Sequence, residues 1–363
     1  MRILFLANDG EGLYKFRKEL IEELLKDNEV FVSLPRDKYI PSLENMGCKY
    51  IETSFNRKGT NPISDIKLYK FYKTIINEVK PDVVLTYTIK PSVYGGMACQ
   101  KLNVPYIVNI TGLGSSIENG GLLSFIALSL YKIGIKSARR VFFQNTTNRD
   151  FMLAKRAVKP EQCDLVPGSG VNLKDYSVLD YPDDKTIDFV YIGRIMTEKG
   201  FGQYAEAAKY IHDKYPNTIF HIAGEFEDDY RDVVQQLSKE GVFVYHGSVE
   251  NMKDEIYKIV NCVVHPTYYA EGLSNVLLEA LACGRPIITT NRAGCKEVVD
   301  DNINGFIVKQ KDSKDLIEKI EKFISLSNEQ RKQLGLNGRK KVEEQFDRNI
   351  VIDKYIKEIN SIK

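Results

Sequence analysis

Residues 267–305 read TYYAEGLSNVLLEALACGRPIITTNRAGCKEVVDDNING. Glu271 and Glu279 bracket a short amphipathic segment, Gly-Arg-Pro makes a turn, and the apolar run Ile287–Thr290 has the composition of a buried strand. Loop, helix and strand are expected in succession. The helix should open in the small polar cluster Gly272, Leu273, Ser274 and Asn275, where unpaired amides and the positive end of the helix dipole favour an anion such as phosphate. Eight residues of helix rise about 12 Å, so two helical carboxylates at that spacing would meet different parts of one elongated ligand. They do not match a glycosidase carboxyl pair, which sits about 5–9.5 Å apart. A nucleotide sugar has the right form, with ribose, diphosphate and sugar in a row.

Upstream of this stretch, short β-branched runs alternate with amphipathic segments. Strands are expected at Ile187–Ile192, Thr218–Ala223, 242–246 and Cys262–His265, with helices at 201–215, 228–240 and 252–260. Gly193, Gly224 and Gly247 follow the first three of these strands, at the ends where doubly wound sheets bind ligands. The first half shows the same alternation. Strands are expected at 3–7, Glu29–Leu34, Val83–Tyr87, 106–109 and 141–143, and helices at 64–79, 92–102 and 122–137. The loop Asn8, Asp9, Gly10, Glu11, Gly12 follows the first strand, but the GxGxxG spacing of a dinucleotide-binding fingerprint is absent. The expected fold class is therefore α/β, with two doubly wound Rossmann-like domains facing a central cleft. Their boundaries are expected at 1–180 and 181–345, joined at the polar stretch 180–184, with a helix at 346–363 packing back on the first domain.

The chain has 363 residues, 43% hydrophobic, which is enough for two cores. The longest apolar segment, 122–135, is interrupted by Ser124, Ser129 and Lys132 and falls short of the roughly 20 residues a membrane span needs. The apolar run at the N-terminus is too short for a secretory signal and reads as a strand. Six scattered cysteines include no CxxC and no histidine at ligand spacing, so a reduced, cytoplasmic protein without structural zinc is expected. Net charge is +2, but residues 1–170 carry 24 Lys and Arg against 17 Asp and Glu, leaving the remainder net acidic. A basic first half suits an anionic partner such as a membrane surface or a phosphorylated acceptor. No basic–aromatic repeat indicates nucleic-acid binding.

Gly193-Arg194-Ile195-Met196-Thr197-Glu198-Lys199-Gly200 directly follows the first strand of the second half. Two cations five residues apart, flanked by glycines at a strand end, can converge on one diphosphate. Together with EGLSNVLLEALACGRPIITT, this motif resembles glycosyltransferase family 4, retaining enzymes of the GT-B fold. The resemblance extends to residues 8–12, 88–91, 109–114 and 168–172. Within the family, the chain is most similar to bacterial enzymes that extend undecaprenyl-diphosphate-linked saccharides in capsule, O-antigen or glycoprotein assembly, such as the undecaprenyl-diphosphate-saccharide N-acetylgalactosaminyltransferase.

The resemblance implies that Arg194 and Lys199 neutralise the donor diphosphate and stabilise departing UDP. It implies that Glu279 holds the ribose and Glu271 the donor sugar, and that the amides of Gly272, Leu273, Ser274 and Asn275 seat phosphate. Gly193, Gly224 and Val249 complete the donor-binding set, the last in the loop taken by analogy to meet the base. Gly12, Thr111, Asp9 and Lys90 are the acceptor-binding candidates, and Glu11 is a further acidic candidate. Many family members carry a histidine near the position of Thr111; here all four histidines lie in the second half, which excludes a histidine base in the first. Front-face displacement, in which the leaving phosphate takes the acceptor proton, needs no such base.

No metal and no cofactor are expected. Glu227, Asp228 and Asp229 read as dipole complements at a helix start. The implied partners are a UDP-sugar donor, a lipid-linked saccharide acceptor and an anionic membrane surface, with the protein peripheral on the inner face of the cytoplasmic membrane. Lys15, Arg17 and Lys18 on the first helix and the apolar segment 122–135 are the expected membrane-facing features. A nucleotide-sugar epimerase of the same fold and a non-catalytic partner subunit are the alternatives. The first would act on donor alone, and the intact Arg194, Lys199, Glu271 and Glu279 argue against the second.

Overall fold

The alternating pattern resolves into two units, Met1–Ser169 with Asn349–Lys363, and Gly170–Arg348. The computed structural model describes residues 1–53, 61–114, 117 and 120–362. In the first unit, seven strands form one sheet in the order β3-β2-β1-β4-β5-β6-β7. These are β1 (Arg2–Leu6), β2 (Glu29–Leu34), β3 (Lys49–Glu52), β4 (Val83–Tyr87), β5 (Tyr106–Ile110), β6 (Arg140–Phe143) and β7 (Cys163–Leu165). Every neighbouring pair is parallel. Strand order reverses between β1 and β4, which makes their carboxyl ends the switch point of this sheet.

Helix α1 (Gly10–Leu25) buries Leu13, Leu20, Ile21 and Leu24 against one face of the sheet. A short helix α2 (Ile40–Asn45) follows β2, and α3 (Pro62–Val79) covers the opposite face. The expected helix 92–102 divides into a π-helical turn, Pro91–Gly95, and α4 (Gly96–Leu102). Next come α5 (Gly121–Ile135) and α6 (Thr146–Ala154). A Cβ on Gly96 would stand 2.1 Å from the Gly134 carbonyl oxygen, so α4 and α5 approach through two glycines. Gln100 and the Tyr106 hydroxyl donate to that same carbonyl at 2.9 and 2.8 Å.

The second unit has six parallel strands in the order β10-β9-β8-β11-β12-β13. They are β8 (Ile187–Ile192), β9 (Thr218–Ala223), β10 (Phe243–Gly247), β11 (Cys262–His265), β12 (Ile287–Thr290) and β13 (Gly305–Val308). Helices α7 (Phe201–Lys214), α8 (Arg231–Lys239), α9 (Asn275–Ala282), α10 (Ser313–Ser325) and α11 (Asn328–Gln345) complete it. Its switch point lies between β8 and β11. The expected helix at 252–260 is only a π-helical turn, Lys253–Tyr257.

Residues 170–180, expected in the first domain, and 346–348, expected with the terminal helix, lie in the second unit. The cause is local: the Val171 amide donates to the Phe346 carbonyl and the Arg348 amide to the Val171 carbonyl, which ties both segments together. The final helix α12 (Arg348–Asn360) serves the first unit, where Val351, Tyr355 and Ile359 are buried in the same core as the apolar face of α1. All six cysteines are free, five of them buried. Among the described residues no helix is long and apolar enough to cross a membrane.

Candidate active site

The two motifs that dominate the sequence leave adjacent strands at the switch point of the second unit. The loop 193–200 follows β8 and the loop 266–274 follows β11. They are tied by the Tyr268 amide, which donates to the Glu198 carbonyl at 2.9 Å. A Cβ on Gly200 would come within 2.1 Å of the Pro266 carbonyl oxygen, so only glycine allows this approach. Gly193, Gly224 and Gly247 end three neighbouring strands, and the Gly224 amide donates to the Gly247 carbonyl at 2.7 Å. Any Cβ on Gly224 would stand 1.9 Å from the Gly193 carbonyl oxygen.

Lys199 and Glu271 form an ion pair, with their side chains 13% and 17% exposed. Burial on its own would raise the Glu271 carboxyl, but the charges of Lys199 and Arg194, with His265 beside them, hold its pKa below the usual carboxylate value. Arg194 donates to Glu227 at 3.0 Å. The Arg194 guanidinium and the Lys199 ammonium lie 5.3 and 5.2 Å from the Tyr269 ring centroid, so one aromatic ring serves both cations. Arg292 donates to the Tyr269 carbonyl at 3.0 Å and fixes the backbone that carries this ring.

Helix α9 starts at Asn275 with Ser274 as its N-cap residue, and no side chain caps it. The Ser274 amide, expected to seat phosphate, instead donates to the Gly294 carbonyl at 2.9 Å. Glu271 lies in the loop ahead of the helix, so the 12 Å rise expected for two helical carboxylates does not apply. Glu279 is within α9, and the Tyr257 hydroxyl donates to it at 3.4 Å. Buried His265, at the end of β11, is 3.3 Å from the Ser274 hydroxyl. Val249, in the loop that follows β10, is half-buried against the core.

Glu227 and Asp228 are not helix-dipole complements, because α8 starts at Arg231. Glu227 pairs with Arg194, and Asp228 accepts from the Thr197 amide at 2.7 Å, a bond that lowers its carboxyl pKa. These acidic residues therefore shape the cationic loop from the β9 side.

The family pattern described as "Glycosyl transferases group 1" matches residues 181–341, and "Glycosyl transferase 4-like" matches residues 2–145. The chain is 30% identical to the N,N'-diacetylbacillosaminyl-diphospho-undecaprenol alpha-1,3-N-acetylgalactosaminyltransferase of Campylobacter jejuni, over 98% of both proteins. It belongs to the group 1 glycosyltransferases. A second relative, the UDP-Gal:alpha-D-GlcNAc-diphosphoundecaprenol alpha-1,3-galactosyltransferase of Escherichia coli, is 24% identical over 69% of this chain and 68% of its own. The fold matches that of Anabaena HepE with a TM-score of 0.79 at 18% identity, covering 99% of each chain. The transferase thus has the GT-B fold.

In the first unit of the transferase, the acceptor candidates follow β1, β4 and β5, neighbours around the other switch point. Asp9 is the N-cap of α1 and accepts from the Gly12 amide at 2.7 Å, while Glu11 pairs with Lys15 at 2.8 Å. Lys90 is paired with Asp65 at 2.9 Å, and the Tyr94 hydroxyl donates to the same carboxylate at 2.8 Å. Thr88 adopts a left-handed φ of 70° just before it, and Thr111 is exposed after β5. Arg17, expected on an exposed basic face, is buried, with its guanidinium 5.2 Å from the Tyr87 ring centroid. Arg139 and Arg140 are also engaged, both with Glu358 of α12 at 3.0 Å.

The sequence reading missed Asp65, Arg292, Gly294 and the cation-holding role of Tyr269. Arg292 and Gly294 immediately follow β12 at the ligand-bearing edge, and that position was a usable signal. Asp65 left none, because its partners lie 25 and 29 residues away.

Proposed function

We propose that this glycosyltransferase moves a hexose or N-acetylhexosamine from a UDP-sugar to a hydroxyl of a polyprenyl-diphosphate-linked saccharide, with retention at the anomeric carbon. The observation that carries the donor half is the meeting of Arg194, Lys199 and Glu271 at one switch point. The acceptor half is supported by the two relatives, whose names both specify a diphospho-undecaprenol saccharide. The product then belongs to bacterial surface polysaccharide or glycoprotein glycan assembly, and the enzyme works peripherally at the inner face of the cytoplasmic membrane.

Chemically, the bond from the anomeric carbon to the diphosphate oxygen breaks as the bond to the acceptor oxygen forms on the same face. The acceptor proton passes to the departing phosphate, so no enzymic base is required. Charge accumulates on UDP, and Arg194 and Lys199 stabilise it there. Donor binding draws both cations onto the diphosphate in competition with Glu227 and Glu271. Once released from Lys199, Glu271 is available to the sugar, while Glu279 holds the ribose. Two cations do the work a divalent ion would do, so EDTA should leave activity intact, and loss of activity with rescue by Mg²⁺ or Mn²⁺ would overturn this mechanism.

The deciding experiment incubates the protein with a panel of UDP-sugars, with and without a short-chain prenyl-diphosphate saccharide, and follows products by mass spectrometry and anomeric NMR. Acceptor-dependent extension with retained configuration is expected. An isomerised sugar formed without acceptor, or an inverted linkage, would sink the proposal.

A further inference from the structure

Every exposed large hydrophobic side chain of the first unit, among the described residues, lies on two helices. Ile63 and Ile66 are on α3, and Leu122, Phe125, Ile126 and Ile133 are on α5. The exposure is substantial, reaching 66% at Ile63, 74% at Leu122 and 69% at Phe125. Helical spacing puts each set on a single stripe that continues into lysine: Lys67 and Lys70 on α3, Lys132 in the last turn of α5 and Lys136 just beyond it. All four lysines are exposed, and α5 contains no acidic residue.

Topology gives these stripes a common direction. Helix α3 ends at Val79, just before β4 begins at Val83, and α5 ends at Ile135, just before β6 begins at Arg140, so both helices finish at the amino edge of the parallel sheet. Both helix starts therefore lie at the carboxyl edge of the sheet, the edge that also carries Asp9, Lys90 and Thr111. Both helices pack on α4 and the turn Pro91–Gly95, over the same core. Most of the apolar residues sit in the first two turns of each helix, with lysines about one to three turns behind them.

We infer that this edge of the first unit docks on an anionic bilayer, with the apolar helix starts entering the headgroup region and the lysines meeting lipid phosphates. The inference rests on the lipid-linked acceptor proposed above for its biological setting, and on the two stripes for its location. Protein interfaces are depleted in lysine, whereas apolar residues backed by lysine suit anionic lipid. Such docking brings the acceptor loops to the surface where a polyprenyl diphosphate carries its charge.

Flotation with phosphatidylcholine vesicles, with and without phosphatidylglycerol, tests this in the absence of donor and acceptor. Wild type should float with the anionic vesicles and less so at high salt. Joint Phe125→Ser and Ile126→Ser substitution should reduce the bound fraction about tenfold or more, and joint Lys132→Glu and Lys136→Glu reversal should reduce it about tenfold. Unchanged thermal melting in both variants, and unchanged transfer to a water-soluble short-chain acceptor, separate docking from folding and from the reaction itself. Undiminished flotation of the serine variant would overturn the inference. So would wild type that fails to float but sediments as a dimer which the serine variant abolishes. Normal flotation without any transfer would leave docking standing and remove the proposed acceptor instead.

Discussion

Lys199 and Arg194 are held by carboxylates and by the Tyr269 ring, so removing either cation also leaves a carboxylate without that partner in the proposed donor site. Each alanine variant should lower turnover by roughly 10²–10³. Steady-state kinetics at saturating donor provides the check, and wild-type rates in both would remove the diphosphate assignment. Glu279→Ala should mainly raise the donor KM, since the proposed ribose contact would be made in ground and transition states alike, whereas Glu271→Ala should mainly lower kcat. The reverse pattern would exchange the two assignments. His265 makes a separate prediction: burial, then the Lys199 charge, push its pKa down to about 3 from 6.5. The unfolded chain therefore takes up a proton that the folded protein excludes. The stability contributed by neutral His265 is complete above pH 6.5 and is lost as pH falls toward about 3, by at most about 1.4 kcal/mol per pH unit. Urea unfolding from about pH 7 to about pH 4 should show a shallower decline for His265→Asn, and parallel declines would refute this. The charged residues themselves were legible in the sequence, but their pairing was not. Arg194 finds Glu227 33 residues away and Lys199 finds Glu271 72 residues away, and no local pattern encodes such partners.

Among the elements, β2, β4, β8, β9, β11 and β12 appear with the boundaries read from their composition. Each is a compact apolar or β-branched run bounded by turn residues, which is the strongest short-range strand signal. Strand β3 escaped because an edge strand of sequence KYIE, nowhere fully buried, has no apolar face to read. β13 follows the turn-rich 300–304, and its pairing depends on Gly305, where a Cβ would stand 2.0 Å from the Ile287 carbonyl oxygen. The turns at Pro91–Gly95 and Lys253–Tyr257 carry helical periodicity but adopt π geometry, a distinction that apolar spacing does not report. Close backbone approaches make the sharpest test at this scale. Gly224→Ala must part the loops after β8 and β9, because the new methyl would overlap the Gly193 carbonyl at a φ of 154°. It should cost about 1–3 kcal/mol and weaken donor binding together. Thermal melting and nucleotide titration measure both, and a variant unchanged in each would show that this contact does not organise the loop.

For the whole molecule, the final helix returns to the first unit, and the division into two units followed from the repeated alternation of strands and helices. The exchange point did not, because the backbone bonds among Val171, Phe346 and Arg348 join segments that have no shared sequence signal. Tyr355 stands at the centre of that return, fully buried, with its ring 4.7 Å from Phe142 and 6.5 Å from Tyr87. Tyr355→Ala should destabilise the first unit by about 3–5 kcal/mol, by analogy with other large aromatic truncations. Calorimetry should then show an early transition that added UDP does not shift, since the proposed donor residues lie in the other unit; a single transition moved by UDP would contradict this. The same feature has a consequence during synthesis. The segment 349–363 leaves the ribosome only after all of Gly170–Arg348 has been made. At about 5–20 residues per second, the nascent first unit waits roughly 10–40 s for its last helix, with the apolar side of its sheet beneath α12 uncovered. The half that is begun first is finished last, and throughout that interval it exposes apolar surface of the kind that chaperones bind.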